Sequence, residues 1–421
     1  MKKILTLSLI LLGLGAGITA FGAHVSPHEA LNRLARSHNG HRAVASKMNA
    51  KSCKTLDHLY VFENEDGFII LPDDDRAPVL LGYCDDACFT TENNPSFKSW
   101  LEFYNAELSG LSDVPENEGN ISGAQSRPER KPVAPMIATK WNQSEPYNDL
   151  CPELDDKRSV TGCVATAMAQ VMKYHNWPER GTGTHSYYWE NGDRELSFDF
   201  GATTFDWENM LPVYDETATE EQRKAVATLM SACGVAADMI YSPAESGANT
   251  TYAAAGMVEF LNYDQGLSEA YRAWYGLYEW EDMIYGELAD NRPVLYRGRS
   301  QAGGHAFVCD GYAGDGFFHI NWGWGGYCDG YFLLTALTPD GQGIGGGSPD
   351  GYNMGQSVFI GLKPRTADSE RSYLLLGYEF YPYSDFLECR TGDAVWCYAG
   401  IYNYSLWTCP EGSWSGVRFT S

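Results

Sequence analysis

The chain of 421 residues carries 55 Asp+Glu against 30 Lys+Arg, a formal net charge of −25, which excludes a protein that holds nucleic acid or an anionic membrane surface by charge. Its hydrophobic fraction of 44% and aromatic fraction of 14% supply a sizeable core and exclude global disorder. The 11 cysteines are an odd number, so at least one thiol lacks a partner within the chain.

In chain order, Met1-Lys2-Lys3 leads into an apolar run at 4–14 and small residues up to Ala23. This order of charged, apolar and small residues predicts a cleaved export signal over 1–23, and no membrane association once it is removed. Residues 26–37 place Ala30, Leu31, Leu34 and Ala35 on one helical face. His24, His28, His38 and His41 sit among polar residues and read as solvated. Three apolar runs, 59–62, 68–71 and 79–83, are separated by acidic turns and predict an antiparallel meander. Asn94-Pro95 then opens a helix, with Asn94 as cap and Phe97, Trp100, Leu101, Tyr104 and Leu108 on one stripe. Together 24–111 make a small α+β unit. Within it Cys84 and Cys88 have ligand-like spacing, but no second pair follows, so a short disulfide or two free thiols is expected.

Residues 112–134 lose apolar periodicity and predict a solvated, cleavable linker. From 135 to 364 helical patterns (220–237, 252–261) precede strand patterns (293–296, 305–312, 317–322, 330–334), the order of an α+β domain. Residues 365–421, with Cys389, Cys397 and Cys409, read as a β-rich extension.

Four motifs carry chemistry. Gly162-Cys163 precedes small, helix-favouring residues, so Cys163 falls at a helix start, where free N–H groups and the helix dipole favour a thiolate. Gly303-Gly304-His305 opens an alternating strand about 140 residues later, the spacing of a papain-type nucleophile and its histidine. A thiolate beside a histidine is the pair that acyl transfer requires. Asn321-Trp322-Gly323-Trp324 ends the next strand. There Asn321 is a candidate to fix the imidazole tautomer, and Trp322 or Trp324 to exclude water. Gln143, upstream of Cys163, is a candidate amide donor to an oxyanion, together with the Cys163 N–H. Taken singly, each has a plain structural explanation.

Together the four resemble the streptopain-like cysteine peptidases. The likeness is close at 141–148, 161–175, 303–311 and 321–326, and looser over 134–364. The general papain signature around the nucleophile, Cys-Gly-Ser/Ala-Cys-Trp, is absent. The resemblance implies a papain-like α+β fold with a helical and an antiparallel β part, preceded by an inhibitory propeptide that acts on its own chain. It implies a secreted zymogen of an endopeptidase acting on protein substrates, with Cys163 as nucleophile, His305 as base and acid, and Gln143 as oxyanion donor. Either Asn321 or Trp322 orients His305, since neighbours on a strand face opposite ways. Ser246, Gly247 and Gly304, with Trp324, match positions that line the substrate cleft. A Gly-rich stretch at 341–355 matches a cover over that cleft, and a bulky apolar residue two positions before the scissile bond is the implied preference. No metal or cofactor enters. Two rivals are an acyl-transfer enzyme of transglutaminase or amidase type using the same dyad, and a non-catalytic surface binding or inhibitor protein.

Overall fold

The computed structural model describes residues 24–37, 52–65, 67–113, 128–300, 303–335, 355–371, 375–382 and 397–403. The predicted export signal, His38, His41, Cys389, Cys409 and nearly all of the Gly-rich stretch lie outside the described residues.

The N-terminal unit holds α1 (Pro27–Arg36), β1 (Cys53–Leu56), β2 (Leu59–Glu63), β3 (Phe68–Pro72), β4 (Gly82–Cys84) and α2 (Pro95–Ser109). The acidic turns keep the apolar runs short, and the strands pair as the predicted antiparallel meander. The α2 helix starts where expected: Asn94 Oδ1 accepts from the Phe97 N–H at 2.9 Å, and Pro95 needs no hydrogen-bond partner at the first position.

The larger part follows in a helical half and a sheet half. After a short hairpin, β5 (Glu153–Leu154) and β6 (Lys157–Arg158), come α3 (Cys163–His175), the hairpin β7 (Thr184–Trp189) and β8 (Arg194–Asp199), α4 (Glu220–Ala236) and α5 (Thr250–Glu259). The sheet half holds β9 (Ser268–Tyr271), α6 (Leu277–Ala289), β10 (Val294–Ser300), β11 (Gly303–Gly314), β12 (Phe317–Asn321), β13 (Gly330–Leu333) and β14 (Ser357–Ile360). A further hairpin, β15 (Leu375–Pro382) with β16 (Cys397–Asn403), gives the C-terminal extension its β character. The fold is α+β, as expected.

The two units share one sheet. Ten strands run in the order β1-β2-β3-β4-β13-β12-β11-β10-β14-β9, with Tyr83 opposite Tyr331 and Gly82 opposite Phe332 at the junction. A Cβ on Gly82 would lie 2.3 Å from the Phe332 ring, so only glycine lets the strands meet there. The β11 register then divides the core. Phe307 and Cys309 pack with α2 and the strands of the N-terminal unit, whereas Ala306 and Val308 pack with α3 on the other face.

The predicted solvated linker is only partly so. Over residues 128–135 the chain is docked on the larger domain. Val133 and Tyr312 exchange backbone hydrogen bonds at 2.7 and 2.8 Å, and the Tyr285 hydroxyl donates to the Lys131 carbonyl. Arg130 bridges Glu281 at 3.3 Å and Asp282 at 2.5 Å; its side chain is 3% exposed and that of Glu281 is fully buried. Composition hid this because a single buried arginine anchors an otherwise polar stretch. Arg130→Ala takes the cation away from a buried carboxylate, which costs about 3 kcal/mol. Thermal unfolding is expected to show a drop of several degrees; an unchanged melting temperature contradicts the anchor.

Candidate active site

Gly162, at φ +85°, turns the chain into α3 without a side-chain cap, leaving the first-turn N–H groups facing the Cys163 thiol. A Cβ at Gly162 would lie 2.7 Å from the Ser246 carbonyl oxygen, so the 242–247 loop presses directly against the residue before Cys163. Cys163 is half-buried, and its Sγ accepts the Ala306 N–H at 3.4 Å. Burial raises the thiol pKa, the N–H groups of Ala306, Val164 and Cys163 oppose this, and the Glu245 charge adds to the rise.

His305 immediately precedes Ala306, so the expected pair is brought to one place from opposite ends of the domain. It is not joined there: among the described residues no hydrogen bond links the imidazole to Cys163. The strand register explains why. His305 pairs with Gly298 and shares the Phe307 face, where its ring lines a small pocket with Ser96, Trp100 and Phe103 of α2. Burial lowers the His305 pKa, with the Glu245 charge opposing. A raised thiol and a lowered imidazole both favour the neutral forms, the opposite of an ion pair.

Asn321 and Trp322 do face opposite ways, as strand geometry requires. The Asn321 carbonyl oxygen accepts from Gln170 Nε2 at 2.9 Å and from the Gly323 N–H at 3.0 Å, and its Nδ2 donates to the Thr139 carbonyl at 2.8 Å. That amide is committed to α3 and the entering chain rather than to His305. Trp322 is on the His305 side, fully buried, with its indole donating to the Cys328 carbonyl at 2.8 Å and its ring 4.8 Å from that of Phe307. Gln170 escaped the sequence reading. Its signal was a long polar side chain two turns after Cys163, between the apolar residues Ala169 and Val171.

Gln143 is buried, and its Nε2 has no hydrogen-bond partner among the described residues. The Gln143 backbone carbonyl accepts the Thr161 N–H at 3.0 Å, which ties this loop to the approach to Cys163. A buried amide N–H left unmade costs about 1–3 kcal/mol. Glu245, exposed on the 242–247 loop, was also not singled out by sequence, although its charge bears on both Cys163 and His305.

The expected cleft residues fall around this centre. Ser246 is buried, with its hydroxyl donating to the Ser242 carbonyl and accepting the Ser242 N–H, which closes the loop. Gly247 is exposed and pairs with Ile240, and a Cβ there would touch nothing. Gly304 is exposed and similarly open: a Cβ there would meet only the Gly298 carbonyl oxygen, at 3.9 Å. The Trp324 indole donates to Ser96 Oγ at 3.1 Å, a propeptide contact.

Behind β12 lies a buried ionisable group. The Asp329 carboxylate accepts the Trp322 N–H at 2.9 Å. Burial pushes its pKa up to about 7, with that hydrogen bond and the His319 and Lys140 charges opposing and Asp310 reinforcing. The unfolded carboxyl ionises near pH 4. Between about pH 4 and about 7 the folded chain keeps a proton that the unfolded chain gives up, so stability falls as pH rises through that window. Asp329→Asn keeps an acceptor and carries no charge. It is expected to raise the melting temperature at pH 8 and leave it unchanged at pH 4; equal shifts at both pH values contradict this.

Comparison with known proteins identifies two families in the chain. Residues 141–332 match the Peptidase C10 family, and residues 25–108 match the Spi protease inhibitor family. Streptopain of Streptococcus pyogenes serotype M28 (strain MGAS6180) is 33% identical over 329 residues, covering 73% of this chain and 81% of the relative. The thiol protease/hemagglutinin PrtT of Porphyromonas gingivalis is 34% identical over 332 residues, 74% of this chain and 37% of that longer protein. A fragment of Prevotella intermedia prointerpain A superposes with a TM-score of 0.65 at 34% identity, covering 74% of this chain and 98% of the fragment. The chain belongs to the Peptidase C10 family and is a cysteine endopeptidase preceded by an inhibitory propeptide.

Proposed function

We propose that this peptidase cleaves protein chains through a Cys163–His305 dyad and a thioester, and that the structure described is its inhibited precursor. The observation that carries the reading is the placement of the Cys163 thiol, at a helix start, against the backbone N–H next to His305. Once His305 reaches the thiol, it takes the thiol proton. The Cys163 thiolate then attacks the scissile carbonyl, and the resulting oxyanion accepts from Gln143 Nε2 and the Cys163 N–H. His305 protonates the leaving amine, and water hydrolyses the thioester. Gly247 and Gly304, open where a side chain would stand, leave room for an extended substrate backbone. A bulky apolar residue two positions before the cut remains the proposed preference.

The domain limits proposed are 24–111 for the propeptide and 135–364 for the peptidase, with cleavage between them. Export by the 1–23 segment belongs to the same reading. Among the described residues no helix is long and apolar enough to cross a membrane.

Irreversible labelling of Cys163 by an epoxide-type thiol reagent tests the proposal. In the precursor, labelling is expected to be slow and to need alkaline pH, because burial raises the thiol pKa. After propeptide removal the labelling midpoint moves to lower pH as the His305 pair forms. Labelling that is equally slow in both forms, at every pH, contradicts the dyad.

A further inference from the structure

Two cysteines outside the active site approach each other across the seam between propeptide and peptidase. Cys88 follows β4 and is exposed, whereas Cys328 precedes β13 and is buried. Cys328 Sγ donates toward the carbonyls of Cys88 at 3.7 Å and Thr90 at 3.2 Å, and accepts the Thr90 N–H at 3.4 Å. The sulfur of one unit therefore lies against the backbone of the residue that carries the other thiol. Both sides are held: Asn94 Nδ2 donates to the Tyr327 carbonyl at 2.6 Å, and the Trp322 indole to the Cys328 carbonyl at 2.8 Å. Cys84, the nearer cysteine in sequence, is buried with its Sγ engaged by Asp86 at 3.4 Å.

We propose that Cys88 and Cys328 form a disulfide that ties the propeptide to the peptidase domain. The oxidant is a small-molecule disulfide of the glutathione class, RSSR. The exposed Cys88, as thiolate, attacks one sulfur of RSSR; the first RS⁻ leaves and is protonated to RSH. Cys328, as thiolate, then attacks the Cys88 sulfur of the mixed disulfide, forming the Cys88–Cys328 bond and releasing the second RSH. Two thiols are oxidised and one RSSR is reduced by the same two electrons. Burial pushes the Cys328 thiol up to about 12, so the second step is the slower one and quickens with rising pH. One consequence rests on the peptidase reading above: cutting the chain between the units does not free the inhibitor until a reductant opens the bond.

The test uses the full-length chain carrying Cys163→Ala, so no step depends on its own activity. The protein is treated with oxidised glutathione, unfolded and alkylated without reduction, digested, and its peptides weighed. The expected result is a peptide pair joined through Cys88 and Cys328, separated by dithiothreitol, with both thiols lost to alkylation. Cys88→Ser, a change at an exposed position, is expected to abolish the pair and return Cys328 to full alkylation. Full alkylation of Cys88 in the oxidised chain overturns the proposal, as does a Cys84–Cys88 pair or glutathione retained on Cys88. Failure of Cys163 to react as a nucleophile leaves all these readouts untouched, so the two readings fail separately.

Discussion

Cys163→Ala is expected to leave the chain folded and uncut. The side chain is half-buried and its sulfur accepts only backbone N–H groups, that of Ala306 at 3.4 Å among them, so little stability goes with it and the melting temperature stays within about 2 °C. Chemistry is another matter. Without the sulfur no thioester forms, and peptide hydrolysis by the processed enzyme drops by about 10⁴-fold or more. His305→Ala is expected to cost about as much, and the double variant no more than either single one, because nucleophile and base act as a unit. Purified protein, incubated with no other protease present, provides the check. Maturation of Cys163→Ala at the wild-type rate sinks the assignment, and additive losses in the double variant sink the dyad.

Trp100→Ala is expected to release the inhibition early. Trp100 is 4% exposed and stands at the centre of the seam. Its ring lies 5.8 Å from those of Phe307 and Trp322 and 6.0 Å from that of Tyr296, all on the peptidase side, and it lines the pocket beside His305. Truncating a buried tryptophan costs about 3–5 kcal/mol. Only part of that loss falls on the contact between the units, since Trp100 also packs on Phe103 and Tyr104 within α2. A share of about 1.4 kcal/mol already opens the closed state tenfold. The lag before self-processing is therefore expected to shorten at least about tenfold, while kcat of the processed enzyme, which lacks Trp100, stays at the wild-type value. An unchanged lag shows that α2 does not hold His305 away from Cys163.

Much of the architecture was legible because it is locally encoded. Asn94-Pro95 marks a helix start by capping chemistry, and the acidic turns between residues 59 and 83 fix short antiparallel strands. The paired carbonyl and N–H of Val133 were not legible, nor was the Arg130 anchor, because neither has a periodic signal. The β14 and β9 strands were missed for a similar reason: each is four residues long and gains its strand character from pairing, β14 with β10 and β9, and β9 with β14. Helix α6 was missed too, although Trp280, Ile284 and Leu288 recur at helical spacing on its buried face.

The residue types of the site were readable in linear order. Cys163 after glycine, His305 about 140 residues on, and Gln143 upstream are each defined by chemistry that a side chain carries wherever it is placed. Which of them meet is a property of register and faces, and only tertiary structure decides it. A strand alternates sides, so β11 presents His305 toward α2 and Ala306 toward α3, while β12 commits the Asn321 amide to Gln170 and Thr139. The same holds for the 11 cysteines. Odd parity in the sequence required an unpaired thiol, and motif chemistry named Cys163 for it. Spacing left Cys84 and Cys88 as a short disulfide or two free thiols, and both are free thiols; the shared sheet sets the Cys88 backbone against the Cys328 sulfur, because strand pairing between β4 and β13 makes neighbours across 240 residues of chain as readily as across four.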